Sequence, residues 1–185
     1  GAIDWGMQSR LEKELGEIRR MGVRLDLLFN ANCYGERAIG VSLENEVMSI
    51  VEHLDDLGLM PDVITTTSPF IAHTLKKYGP GIEIRASVNM RIGTTAAMDY
   101  LSDLFDSFYI QRDLQRDLSA VRVLKQWCDE HDKGLLMLAN SGCLRNCPEQ
   151  IFHDNMVAHD AGINEVKNIA DWTAHLCWRI FGEEH

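Results

Sequence analysis

A chain of 185 residues with 45% hydrophobic and 25% charged residues is composed like one soluble globular domain. No run approaches the roughly 18 unbroken apolar residues of a membrane span, and the first residues show no basic start followed by an apolar stretch, so a cytoplasmic protein is expected. The formal charge of −10 disfavours nucleic-acid binding by this segment alone, because attraction to phosphate requires a basic face.

From the N-terminus, Met7, Leu11, Leu15, Ile18 and Met21 fall on one helical face, and Gly22 is the expected stop. Val23 to Phe29 reads as a strand. Ser42 is a plausible N-cap for a helix whose stripe is Leu43, Val47, Ile50, Val51, Leu54 and Leu57, ending at Gly58. A second strand is expected over Asp62 to Thr67, a helix from Pro69 to Tyr78, and a third strand over Ile82 to Val88. Thr94 opens the next helix. Phe108 to Ile110 is a fourth strand, Asp117 to Asp132 a helix, Leu135 to Ala139 a fifth strand, and Pro148 to about His159 a last helix.

Strands alternating with helices imply an α/β fold with parallel strands joined by right-handed crossovers, so that all strand C-termini share one edge. A closed β/α barrel takes eight strands and roughly 250 residues. Five strands therefore predict a TIM-like (β/α) barrel that is partial in this chain, forming one α/β domain over residues 1–185. A doubly wound five-stranded sheet is the alternative, but no Gly-rich phosphate turn follows the first strand.

The residues after each strand are Asn30, Asn32 and Cys33; Thr65 to Ser68; Asn89 and Arg91; Gln111, Arg112 and Asp113; and Asn140, Ser141, Cys143, Asn146 and Cys147. Strand C-termini of a barrel converge, so Cys33 can meet the Cys143, Cys147 pair although over a hundred residues separate them. In this run Cys147 is the expected N-cap and Pro148 the first helical residue, a place where partial positive charge favours thiolate. A cluster wants about four thiolates, and Cys177 is the fourth candidate. Cys128, beside Leu124 and Trp127, is expected to be a buried structural cysteine. A lone C-x-x-x-C is also compatible with inert or redox-sensitive thiols, and three cysteines with His153 with a zinc site.

Arg91 and Arg112 suit a carboxylate or phosphate, or else ion pairs to Asp113 or Glu149. His153 and His159 lie six apart and share a helix face poorly, so each also reads as packed or solvated. Thr65 to Ser68 brings hydroxyls without a serine, histidine and acid set. Met48, Met60, Met90, Met98 and Met137 read as core filling.

The run Leu138 to Asn155 (LANSGCLRNCPEQIFHDN), together with Leu28 to Cys33 (LFNANC), resembles the peptidase U32 family, the collagenase-like peptidases. The resemblance extends over most of the chain, including Thr65 to Pro69 and Arg85 to Asn89. It implies a TIM-barrel-like catalytic domain. Some branches of that family are oxygen-independent hydroxylation proteins acting on ubiquinone precursors, transfer RNA or ribosomal RNA, and several carry a four-cysteine 4Fe-4S cluster.

By resemblance, Cys143 and Cys147 fall in the cysteine-bearing loop, with Cys33 and Cys177 assigned as the remaining ligands. Asn30, Asn89, Arg91 and Gln111 would then line a basin for a small-molecule, peptide or modified-RNA substrate, with Arg112, Glu149 and His153 as further candidate catalytic residues. The departure is that the longer cysteine-rich segment of the hydroxylation branches is missing. The competing expectations are a metal-dependent, collagenase-like peptidase using Glu149 or Asp113 as base, with zinc as the alternative metal, and a non-catalytic scaffold, in a protein able to form an oligomer.

Overall fold

The computed structural model describes residues 4–78, 81–159 and 177. Five strands, β1 (Asp26–Phe29), β2 (Val63–Thr66), β3 (Glu83–Ala86), β4 (Ser107–Tyr109) and β5 (Gly134–Leu136), are interleaved with six helices: α1 (Trp5–Arg20), α2 (Val41–Asp56), α3 (Pro69–Tyr78), α4 (Thr95–Leu101), α5 (Leu118–Glu130) and α6 (Gln150–Ala158). The strands form one sheet in the order β1-β2-β3-β4-β5, and each neighbouring pair is parallel.

That order decides between the two expected architectures. A doubly wound sheet reverses direction at a switch point, whereas here every strand lies beside its predecessor. Right-handed crossovers between successive neighbours then place the intervening helices on a single face, as in an arc of a β/α barrel.

The two faces of the sheet differ in chemistry. Alternation along the strands puts Leu27, Phe29, Ile64, Ile84, Ala86, Phe108 and Leu135 on the side that joins the hydrophobic cluster. Helix stripes meet them: Leu43, Val47 and Val51 from α2, Met98 and Leu101 from α4, and Leu124, Trp127 and Cys128 from α5, each no more than 8% exposed. Phe108 packs edge-on against Trp127 with ring centroids 5.9 Å apart.

The opposite face carries Asp26, Thr65, Glu83, Arg85 and Ser107 in register across β1 to β4. Arg85 donates to Asp26 at 3.2 Å, to Glu83 at 2.8 Å and to Ser107 at 3.1 Å, while Ser107 donates to Glu83 at 2.7 Å and Thr65 to Asp26 at 2.9 Å. A partly buried charge is tolerated when its partners are this complete. Gly134 faces Ser107 in this layer, and a Cβ there would meet the Ser107 Cβ at 2.7 Å.

Several local expectations shift. α2 begins at Val41 with Gly40 as N-cap, because the amides of Leu43 and Glu44 both bond to the Gly40 carbonyl, so Ser42 lies inside the helix. α6 begins at Gln150, with Glu149 as N-cap, so Cys147 and Pro148 precede it. The cause is a turn in which Asn146 takes a left-handed φ of 55° and the Gln150 amide bonds back to the Cys147 carbonyl at 3.3 Å. The cap-based reason for a Cys147 thiolate therefore lacks its geometry.

The apolar stripe of α1 is largely exposed, with Met7 at 71% and Met21 at 79%. Polar contacts attach this helix instead: Arg19 to Asp62 at 2.6 Å and His53 to Glu12 at 2.8 Å. Met98 is buried, and Met48, Met60 and Met90 pack on the core, but Met137 is exposed. Asp117 caps α5 and Thr94 caps α4 through side-chain acceptors, which fixes where both helices start.

Candidate functional site

The loops at the C-terminal edge of the strands are tied to one another by polar side chains. After β3 the buried Ser87 accepts from the Asn89 amide at 3.1 Å, forming a short turn that presents Asn89. After β4 the chain turns again over Arg112–Leu114, and Arg112 Nη2 donates to Asn89 Oδ1 at 2.8 Å. Asp113 Oδ1 accepts from the Asn146 amide at 2.7 Å and so ties this turn to the long loop between β5 and α6. Asn32, after β1, donates to Asp154 on α6 at 3.3 Å. Four strand-end loops therefore form one connected rim.

Inside that rim lies a cleft of about 690 Å³. Cys143 and Cys147 from the β5–α6 loop line it together with Cys177, and Asn30, Asn89, Arg112 and His153 face the same space. The cleft thus gathers seven of the eleven site residues expected from sequence.

The other four lie outside its lining. Arg91, in a left-handed conformation, points its guanidinium at Asp113 over 3.7 Å, the ion pair anticipated as one alternative. Gln111 packs its amide against Gly93, where a Cβ would come within 2.6 Å of Nε2, so the glycine makes room for it. Glu149 is exposed at the start of α6. Cys33 accepts from the Gly35 amide at 3.4 Å in its own loop.

Sequence reasoning missed Gln150 and Asp154, which line the cleft from α6. The signal was present in the Gln150-to-Val157 run, where positions 150, 153, 154 and 157 recur at helical spacing along one face.

The hydroxyls of Thr65 to Ser68 are engaged in structure: Thr65 with Asp26, Thr66 with the Ser68 amide, Thr67 with the Ala31 carbonyl, and Ser68 with the Ile71 amide of α3. Tyr34 donates to the Phe29 carbonyl at 2.7 Å, and burial holds its phenol above the usual range. Cys128 is fully buried away from the rim, and burial pushes its thiol up. It is a packing residue.

The site contains unmet hydrogen-bonding capacity. Asn30 Oδ1, Asn32 Oδ1, Arg112 Nη1 and Gln115 Nε2 are buried with no partner. Native structures leave few such groups, and a cluster of them at one rim is what a polar ligand would satisfy.

The donor set has the chemistry of a soft metal site, since thiolate ligands select iron–sulfur clusters or zinc. Its spacing does not match: among the described residues no group of three His, Cys, Asp or Glu side chains is gathered closely enough to hold a metal ion.

A U32 peptidase of known structure, Mk0906, superposes on this chain with a TM-score of 0.72, covering 89% of it at 14% identity. The fold is that of a U32 peptidase. At this identity the likeness establishes the architecture, and it agrees with the resemblance carried by the Leu138-to-Asn155 run. The chain spans 64% of the length of that U32 structure. No family model matches the sequence, and no curated protein matches it. Among the described residues no helix is long and apolar enough to cross a membrane.

Proposed function

We propose that this chain is the barrel portion of a U32-type protein whose rim cleft holds a thiolate-bound iron–sulfur centre beside a polar substrate basin, serving an oxygen-independent hydroxylation or related redox reaction. The observation that carries this reading is that three of the five cysteines, Cys143 and Cys147 of the β5–α6 loop and Cys177, line one cleft at the C-terminal edge of a β/α arc. That edge is where such folds do their chemistry. Cys143, Cys147 and Cys177 would be thiolate ligands, with Cys33 reaching in from the β1 loop as the fourth.

The remaining roles belong to the chain's own side chains. Asn89 and Arg112 hold each other at the lining of the cleft, and Asn30, which also lines it, keeps an unpaired acceptor. These groups orient a polar substrate. A bound cluster would supply electron transfer, which none of these side chains can provide.

Metal-dependent peptide hydrolysis is the second reading. It is favoured by the name of the structural neighbour and by His153 and Asp154 sharing the cleft with the thiols, a set that zinc also accepts.

Anaerobic reconstitution of the full chain with iron and sulfide, followed by an absorption spectrum and iron and zinc counts, separates the two. The redox reading predicts a visible charge-transfer band and about four iron atoms per chain. Zinc retained in preference to iron, with chelator-sensitive cleavage of peptides, would replace it by the hydrolytic one.

A further inference from the structure

We propose that a second cavity, beside the thiol cleft, is an oxyanion subsite that seats a carboxylate or phosphate group of a small-molecule ligand. The cavity, about 190 Å³, lies between the turn after β4 and the β5–α6 loop, and it is lined by Arg112, Gln115, Arg116, Ser141 and Arg145, with Asp113 as the acidic member. Three guanidinium groups against one carboxylate leave a positive excess. The carboxylate is also already engaged, accepting from the Asn146 amide at 2.7 Å and facing Arg91 at 3.7 Å.

The unsatisfied atoms have the matching sign. Arg112 uses Nη2 on Asn89, while its Nη1 is buried without a partner, and Gln115 Nε2 is buried without a partner as well. Both are donors, and both belong to residues lining this cavity. Two unpartnered buried donors, a guanidinium N–H and an amide N–H, on residues that line one small space suit an acceptor with more than one oxygen, for which the planar arginine fork is the strongest partner.

The subsite adjoins the thiol cleft, because Arg112, Cys143 and Leu144 line both. A ligand anchored by its anionic end would extend its remainder past Arg112 into the larger space. Anion binding at this subsite requires no metal, so it stands or falls separately from the iron–sulfur reading.

The test is calorimetric and NMR titration of the metal-free full chain with inorganic phosphate and, separately, succinate. Saturable binding of either probe below about 10 mM is expected, and which probe binds tells whether the ligand carries a phosphate or a carboxylate. Arg112→Gln should weaken that binding at least about tenfold. Arg116→Gln, at an exposed position where folding is not at stake, should weaken it in the same direction, and Arg122→Gln on the outer face of α5 should leave it unchanged. No saturable binding of either probe, or equal binding by the Arg116→Gln and Arg122→Gln proteins, would overturn the assignment.

Discussion

Arg85 shows how single residues set the behaviour of the sheet. Its side chain is only 12% exposed, and it joins Asp26 and Glu83, both about a third exposed. Burial holds the Asp26 carboxyl above its usual range despite the Thr65 hydrogen bond and the Arg85 charge. Burial also pushes Glu83 up, but hydrogen bonds from Ser107 and Arg85 and the Arg85 charge outweigh it, so Glu83 lies low. Arg85→Ala leaves two like charges facing each other without a counter-charge and should cost about 2 kcal/mol, discounted for solvent access, as read by denaturant unfolding.

The pH response follows from the same groups. A carboxylate whose folded pKa is depressed stabilises the fold above its unfolded value and loses that contribution as pH falls through the folded one. Glu83, Asp62 and Glu12 are all lowered, so Tm should fall on acidification below the ordinary carboxylate range, about pH 4. Asp26, raised, acts in the opposite sense and is most favourable when protonated. Thermal melts from neutral to acid pH check this, and Glu83→Gln should flatten the drop; an unchanged slope would remove Glu83 from the explanation.

Among the site residues, Cys143, Cys147, Asn89 and Arg112 were legible because each follows a strand that the hydrophobic pattern had already located. Gln115, Arg116 and Arg145 were not, since an arginine on a loop looks the same whether it is solvated or turned into a cavity. Only the fold of the loops reveals which donors lack partners.

At the level of elements, the strands and the buried helices were readable from periodicity, and the errors sit where periodicity carries no information. α1 has a helical stripe as regular as that of α2, yet Met7 and Met21 are exposed while Val47 and Val51 are 1% exposed. Amphipathicity announces a face suited to burial but not what lies opposite it. The start of α6 was displaced because Pro148 fits a first helical position equally well in a turn, and only the φ of Asn146 distinguishes the two.

Among the described residues, Phe108 of β4 joins Phe105 to Trp127 of α5 through ring contacts. Phe108, fully buried between Phe105 and Trp127, should cost about 3–5 kcal/mol when replaced by alanine, measured by chemical denaturation. Gly134→Ala tests the β4–β5 register, because the new methyl would strike Ser107. The expected result is a clear loss of stability, partly restored by adding Ser107→Gly.

For the whole molecule, the sequential strand order and the single helical layer place every strand C-terminus along one edge, so residues far apart in sequence share a rim. This was the part of the candidate site most readable in advance, because it follows from topology alone. The final spacing of the thiols was not readable, since it depends on how the β5–α6 loop folds over the edge, and among the described residues no three potential ligands are yet gathered.

Cysteine alkylation mapped by mass spectrometry, on the full chain before and after anaerobic reconstitution with iron and sulfide, examines this most directly. Cys143, Cys147 and Cys177 should react in the metal-free protein and become protected together on reconstitution, with Cys33 following them and the buried Cys128 unreactive throughout. Rim cysteines that remain equally reactive after reconstitution, or protection limited to Cys128, would contradict it.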